Sequence, residues 1–314
     1  MKIGLAIRFA QELRMMSEPV TLLNPIETEE CRRTFWSVFM LDRLVSCGRD
    51  RPIVFRTNDC SVHLPCTELS FRAGTPERTT TLQQMAEFTG ETPEPADYFS
   101  LTVWMASCVG CTAQQMIQHR GKERIPPWSS GSQFMGSLSR LFESETIIGI
   151  SGRTLSRVLE QDFTLDGNID QQRVGHLLFS QMLFHLCHCL LSHPFLLREK
   201  LKAVRRQAPS SFLREAFERS YEHAGHILQL LADAHQTGCN AEASFYGYCV
   251  CIAGGIQVLY LNADSSEVRE KARERLQHAL GFLAQLAKRW KHIHSMVRDY
   301  TWTVTTQRWD TDTD

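Results

Sequence analysis

Apolar positions recur along most of the chain at spacings of three and four, the period of an α-helix, while the two-residue alternation of half-buried strands is scarce. The expected fold is therefore all-α: a multi-helix array of packed antiparallel helices with irregular insertions. Ile3, Ala6, Ile7, Ala10 and Leu13 make a first apolar stripe. Asn24, Pro25 and Glu27 then read as a helix start, with a capping side chain, a proline in the first turn and negative charge at the positive helix end. This helix runs to about Cys47 and stops at Gly48. Its centre, Phe35 to Leu41, is apolar nearly all round, which predicts burial on most sides. The chain from Arg49 to Pro65 reads as an extended loop.

A stretch at about 72–96 is rich in Thr, Pro, Glu and Gly, and reads as a flexible insertion that meets the core poorly. A helix is expected from about Asp97 to His119. The segment at about 120–132, with Pro126 and Pro127, is a second irregular loop, and Ser132 to Gln161 reads as short helices. Asp170 caps a helix running to His193, and Pro194 ends it. Further helices are expected over Phe212–His235, ending at Gly238, and over Ala243–Leu261. Asp264 and Glu267 form a capping pair for the last helix. That helix carries Leu276, Leu283, Leu286, Trp290, Ile293 and Val297 in a three-four alternation. The seam suits either a coiled-coil dimer or packing on the chain's own helices, with the second favoured. Residues 301–314 form a polar tail.

Composition narrows the function classes. Lys+Arg 34 and Asp+Glu 35 nearly cancel in 314 residues, so there is little counterion-release drive toward nucleic acid. The basic cluster Arg198, Lys200, Lys202, Arg205 and Arg206 reads as a solvated helix end. The 11 cysteines are odd in number, and many sit in apolar runs. They read as reduced core thiols, not a disulfide scaffold. The N-terminus is a poor signal peptide. The longest apolar stretch, Phe245 to Leu261, is broken by glycines and falls short of the ~20 residues that span a bilayer, so no membrane partner is expected.

Few residues stand out chemically. Asp42 and Arg43 lie in the most apolar helix, and a buried lone charge costs several kcal/mol. Asp42, Arg43, Arg49 and Arg51 are therefore read as a structural clasp, with Arg56 also available from the loop. Glu29 and Arg33 make a helical i,i+4 pair. His185 and His188 share a helix face beside Cys187 and Cys189, but a structural metal needs four ligands and nothing visibly ties other histidines to them. They read as core polar groups, and no metal is expected. No His-Glu-x-x-His, phosphate-binding glycine loop or nucleophile elbow occurs, so no catalytic residues are named and an enzyme is not expected.

Several segments resemble the fungal-specific transcription factor domain, the middle homology region of fungal zinc-cluster transcription factors. The main match is Glu27-Thr28-Glu29-Glu30-Cys31-Arg32-Arg33-Thr34-Phe35-Trp36-Ser37-Val38-Phe39-Met40-Leu41-Asp42-Arg43. It is followed by Arg51-Pro52 and by Asp59-Cys60-Ser61-Val62-His63-Leu64-Pro65. Ala6 to Leu13 is similar to the family's preceding helix, and Leu190-Leu191-Ser192-His193-Pro194-Phe195-Leu196 to a helix-ending motif of its second half. The resemblance implies a regulatory domain over 1–300, in the nucleus, controlling transcription by RNA polymerase II through a small-molecule effector or a protein partner. It implies homo- or heterodimers with related factors. The alternative is a stand-alone helical interaction module that heterodimerises with an intact factor.

Members of the family carry zinc in an N-terminal six-cysteine cluster that reads DNA. The Cys-x-x-Cys here, Cys108/Cys111, has no second pair at suitable spacing, so DNA contact is expected only through a module outside this sequence, and no zinc cofactor is expected within it. On this reading the chain is truncated at its N-terminus, as a fragment, a shortened gene product or a diverged remnant. It should then leave an apolar groove beside the Met1–Leu13 helix. Two family motifs would meet where Trp36, Phe39 and Met40 face the 171–193 helix near His185, and an effector pocket is expected there.

Overall fold

The computed structural model describes residues 2–19, 24–48, 51–87, 97–118, 125–148, 163–165, 167–202, 204, 206–296 and 298. The helices are α1 (Lys2–Glu12), α2 (Pro25–Cys47), α3 (Glu68–Arg72), α4 (Leu82–Glu87), α5 (Tyr98–Ala113) and α6 (Gln133–Ile148). They continue as α7 (Gln171–Leu191), α8 (Pro194–Lys202), α9 (Ser210–Gln236), α10 (Ser244–Leu259) and α11 (Ser266–Arg289). The strands among the described residues are β1 (Thr164–Leu165) and β2 (Asn168–Ile169), a two-residue antiparallel hairpin. The fold is all-α.

The helices stack in an order that follows from their apolar faces. α1 lies on α2, α2 on α5, and α5 on α7; α7 meets α9 and α10, and α11 closes the far side against α10 and α9. α5 is apolar all round because it is the inner layer: every residue from Phe99 to Gly110 is buried. α7 is long and apolar enough to cross a bilayer by length and composition, yet 83% of that stretch is buried inside the chain. It is the central helix of the array.

Local chemistry sets the helix ends. Asn24 accepts from the Glu27 N–H while the Glu27 carboxylate accepts from the Asn24 N–H, a reciprocal capping box. Asp170 caps α7 by accepting from the Arg173 N–H. α9 ends at Thr237 with Gly238 at φ 74°, a left-handed turn that glycine adopts without steric cost. The last helix departs from expectation by one residue: Ser265, not Asp264, accepts from the Val268 N–H and starts α11.

Four expectations need correction. α2 is not buried on most sides. Its buried stripe is Glu29, Phe35, Trp36, Phe39, Asp42, Arg43, Ser46 and Cys47, whereas Leu41 is exposed. Charged residues hold core positions, so hydrophobicity alone misplaced the face. The described part of the 72–96 insertion is also built into the fold. Leu64 N–H donates to Thr80 O, His63 bridges Thr81, and Leu82 and Met85 are buried; residues 88–96 lie outside the described set. Ser132 to Gln161 is one helix to Ile148, with 149–162 outside the described set. Lastly, Lys200 is not solvated: it is buried, and its Nζ donates to Gln115 O at the end of α5.

Every cysteine is a free thiol, and eight of them are buried. Burial pushes the thiols of Cys47, Cys60 and Cys108 up to about 12, and that of Cys66 to about 11.

Candidate functional site

The family-like helix α2 anchors a chain of alternating charges. Glu18, in the loop after α1, takes Arg32 Nε and Nη2 at 3.0 and 2.8 Å. Arg32 Nη1 stands 3.5 Å from Glu29, and Glu29 accepts from Arg33 Nε at 3.0 Å. Arg33 then reaches Glu68 at 2.6 Å, Glu68 takes Arg72 at 2.8 Å, and Arg72 reaches Asp170 at 2.7 Å. This ladder of seven side chains joins the α1–α2 loop, α2, α3 and the start of α7. Glu29 is fully buried and also accepts from the Cys66 N–H. The Glu29/Arg33 pair is thus part of a buried network and not the surface pair that its spacing suggests.

The electrostatics follow the contacts. Burial alone would push the Glu18 carboxyl up, but hydrogen bonds from Arg32 and His63 and the Arg32 charge hold it at about 2. Asp170 is lowered chiefly by the hydrogen bonds from Arg72. Of the ladder, sequence reading named only Glu29 and Arg33 as a pair. The Glu18–Arg32, Arg33–Glu68 and Arg72–Asp170 links span 14 to 98 residues, so no local spacing could reveal them, and among the links not named only Glu68–Arg72 is an i,i+4 pair.

The Asp42 clasp is built differently from the expected one. Asp42 pairs with its neighbour Arg43 at 2.9 Å and accepts from the N–H groups of Val54 and Phe55. Arg43 donates on to Phe55 O, and its guanidinium lies 4.1 Å from the Phe39 ring centroid. Burial pushes the Asp42 carboxyl up, against the Phe55 N–H and the Arg43 charge. Arg51 is exposed, and Arg49 lies outside the described residues. Among the described residues, the loop backbone closes on Asp42 through the N–H groups of Val54 and Phe55. α5 comes so near that a β-carbon at Gly110 would collide with the Arg43 side chain.

The expected effector pocket is not formed. α5 lies between α2 and α7, in contact with both. Trp36 and Phe39 are fully buried among Phe35 and each other, and Trp36 Nε1 donates to His63 O at 2.7 Å. Met40 is half-buried, and His185 faces α9. The volume is filled by side chains. A groove opens elsewhere, between α9 and α11, with a volume of about 510 Å³; it is lined by Leu228, Leu231, His235, Cys239, His278 and Phe282 among others.

The seam residues Leu276, Leu283, Leu286 and Ile293 are buried within the chain, where α11 packs on α10 and α9. Trp290 follows the end of α11 and is 38% exposed, its Nε1 donating to Glu242 O; Val297 lies outside the described residues. At the other end, α1 turns Ile7 and Ala10 inward. Leu5 and Phe9 remain 58% exposed and Leu13 71% exposed. Spaced by four, these three make one apolar stripe, so Leu13 belongs to the outer face and not to the inner stripe.

The sequence singles out His185 and His188 alone, and the fold joins them to a second histidine pair. His185 and His188 on α7 meet His223 and His226 on α9. His185 Nδ1 is 2.8 Å from His223 Nδ1, and the His188 ring stacks on His223 with centroids 3.8 Å apart. Both ring nitrogens of His188 are buried without a hydrogen-bond partner among the described residues. Burial, with the neighbouring positive charges, depresses these imidazoles: His188 to about 2, His223 to about 3, and His185 well below its usual value. The available signal was the His-x-x-His spacing, which occurs on both helices.

Residues 1–87 match the Fungal specific transcription factor domain. That segment is similar to this family. Nearly the whole chain is similar to two Zn(2)-C6 fungal-type transcription factors of Fusarium oxysporum f. sp. lycopersici. FTF1c is 25% identical over 89% of this chain and 30% of its own length, and FTF1a is 24% identical over 94% and 28%. The citrinin biosynthesis transcriptional activator mrl3 of Monascus ruber is 26% identical over 44% of this chain and 29% of its own. The chain thus spans under a third of the length of these relatives, which are named as transcription factors. No solved structure matches.

The matched segment, residues 1–87, contains six of the seven ladder residues, Glu18 to Arg72, together with the Asp42–Arg43 clasp. Asp170, the histidine cluster and the α9–α11 groove lie beyond residue 87. The zinc cluster named for the relatives needs convergent thiolates. The Cys108 thiol on α5 is buried and pushed up to about 12, the opposite of a ready thiolate, so Cys108/Cys111 does not fit that cluster.

Proposed function

We propose that this chain is the regulatory region of a fungal transcription factor, acting in the nucleus, and that it works through a protein contact on the outer face of α1. The family match over residues 1–87 supports the first part. The exposed Leu5–Phe9–Leu13 stripe carries the second: clustered large apolar side chains on a surface mark interaction sites, and three at helical spacing suit a helix or groove on a partner. A related factor, as homo- or heterodimer, is the partner class that the family reading favours. The net charge of −1 gives the chain little means of holding DNA by itself.

The test is a reporter assay with the chain fused to an unrelated DNA-binding domain. Replacing Leu5, Phe9 and Leu13 together by Ser should change reporter output and abolish capture of a full-length related factor, while the thermal midpoint stays near that of the parent chain. Unchanged output and unchanged capture would refute the α1 contact. A second reading has its own observation: the α9–α11 groove, about 510 Å³ with Leu228, Leu231 and Phe282 among its lining residues, is the size of a small-molecule site. Under that reading an apolar effector would alter output, and Leu231→Trp would remove the response.

A further inference from the structure

The histidine cluster between α7 and α9 serves neither the ladder nor either proposed contact. We infer that His185, His223 and His226 form a binding site for a divalent first-row metal ion of the zinc class. The nitrogens that these three side chains offer all lie within 4.8 Å of one another. With Zn–N bonds of about 2.0–2.1 Å, tetrahedral ligand nitrogens stand about 3.3 Å apart. The 2.8 Å Nδ1–Nδ1 separation of His185 and His223 needs to open by roughly half an ångström, and the exposed His226 supplies the remaining adjustment by rotation.

The arrangement arises from two helices in close contact. His185 and His188 sit at i,i+3 on α7, and His223 and His226 at i,i+3 on α9, so each pair shares a face. α7 and α9 pack directly on one another. His185 is rigid and buried, His223 half-buried and His226 exposed, which gives a fixed inner ligand and an entry path from solvent. Burial holds the rings neutral, and a neutral imidazole is the form that ligates zinc, copper or nickel. A hydrogen bond between His185 and His223 accounts for two rings only. It leaves His226 and the unpartnered nitrogens of His188 unexplained.

Three imidazoles leave a fourth position open, as in metal sites that accept an outside ligand. His188, stacked on His223, lies next to that position without reaching it in this conformation. The surrounding charge shapes the site. Arg219 faces His188 and His223, while Arg275 and Lys271 face His226, and Glu222 opposes them. Three neutral ligands leave the ion its full charge among these cations, so affinity is moderated and the fourth ligand favoured is an anion. Occupied, the site would clip α7 to α9 and so couple the central helix to the helix that lines the groove.

Calorimetric titration of the chelator-treated 314-residue chain with zinc, and visible spectroscopy with cobalt(II), test this. The expected result is one equivalent bound, with tetrahedral cobalt d–d bands and no thiolate charge-transfer band. His226→Gln, an exposed change that leaves the core intact, should weaken binding by more than the ~10–100-fold typical of losing an outer-shell partner; His223→Gln should abolish it. Zinc should raise the thermal midpoint of the parent chain and not that of His226→Gln. Absence of binding, binding unaffected by His226→Gln, or a thiolate charge-transfer band assigning the metal to cysteines would overturn the assignment.

Discussion

The two halves of this molecule bury polar side chains by opposite means. Around α2, carboxylates and guanidiniums go inside as charges and alternate along the ladder from Glu18 to Asp170, so that each has an opposite neighbour. Around α7, imidazoles go inside with burial holding them neutral, and His188 is left without hydrogen bonds among the described residues. A buried charge without its partner is far costlier than a buried neutral ring. The first region should therefore tolerate little change, and the second a good deal.

The largest effect is expected at Glu29. Glu29→Ala leaves Arg33 with Glu68 and the Cys66 carbonyl, removes a neighbour of Arg32 and orphans the Cys66 N–H. Removing one member of a buried charge network costs about 3–5 kcal/mol, readable as a lowered urea midpoint or as insoluble protein. A midpoint within error of the parent would show that the ladder is decorative.

Gly110→Ala comes next. The added methyl meets an Arg43 side chain that cannot swing away, because its guanidinium is held by Asp42 and Phe55 O. Overpacking of this kind costs about 1–3 kcal/mol, and chemical denaturation should show it. The companion Gly136→Ala, with nothing near its new methyl, should be neutral or stabilising.

Acid should separate the two regions by pH. Burial lowers His193 from 6.5 to about 4. The unfolded chain therefore takes up a proton that the folded chain refuses, and stability falls as pH drops from about 6.5 toward 4. One such group contributes at most about 1.4 kcal/mol per pH unit. Glu18 behaves differently: its carboxyl, lowered from 4.5 to about 2, supports the fold above pH 4.5 and loses that support only as pH falls through 4.5 toward 2. Denaturation midpoints across pH 3–7 should fall in two stages, the histidine stage first. Stability that is flat between pH 7 and 5 would contradict the assignment.

The smallest effect is expected at His188. Replacing a buried ring that has no hydrogen-bond partner by an apolar side chain of similar size leaves nothing orphaned, so His188→Leu should lie within about 1 kcal/mol of the parent in either direction. A loss as large as that for Glu29→Ala would erase the contrast.

What the sequence could reveal follows from range. Asn24, Pro25 and Glu27 act within one turn, so the start of α2 was legible, as were Asp170 and Gly238 at the ends of α7 and α9. The inner face of α2 was legible only in part: Asp42 and Arg43 are expected inside and are, but Glu29 is also a core residue and Leu41 is not. The burial of these charged residues depends on Cys66, Val54, Phe55 and Glu68, which come from later segments. The aromatic residues Trp36 and Phe39 did mark a core, but nothing in their spacing shows that α5 fills the space beside them. The histidines show the same limit in another form, since a shared site between residues 185 and 226 exists only after α7 and α9 have packed.

The buried cysteines carry one more consequence. Cys47, Cys60, Cys66 and Cys108 are held as protonated thiols inside the fold, and protonated, shielded thiols react slowly with alkylating reagents. Cys47 lies at the end of α2 and Cys66 beside Glu29 near its start, Cys108 in the inner layer, and Cys187 and Cys249 in the helices beyond. The chain thus carries internal reporters distributed through its layers. Which thiol is alkylated first by a small reagent, and how fast, dates the opening of each layer in turn without any label having to be introduced.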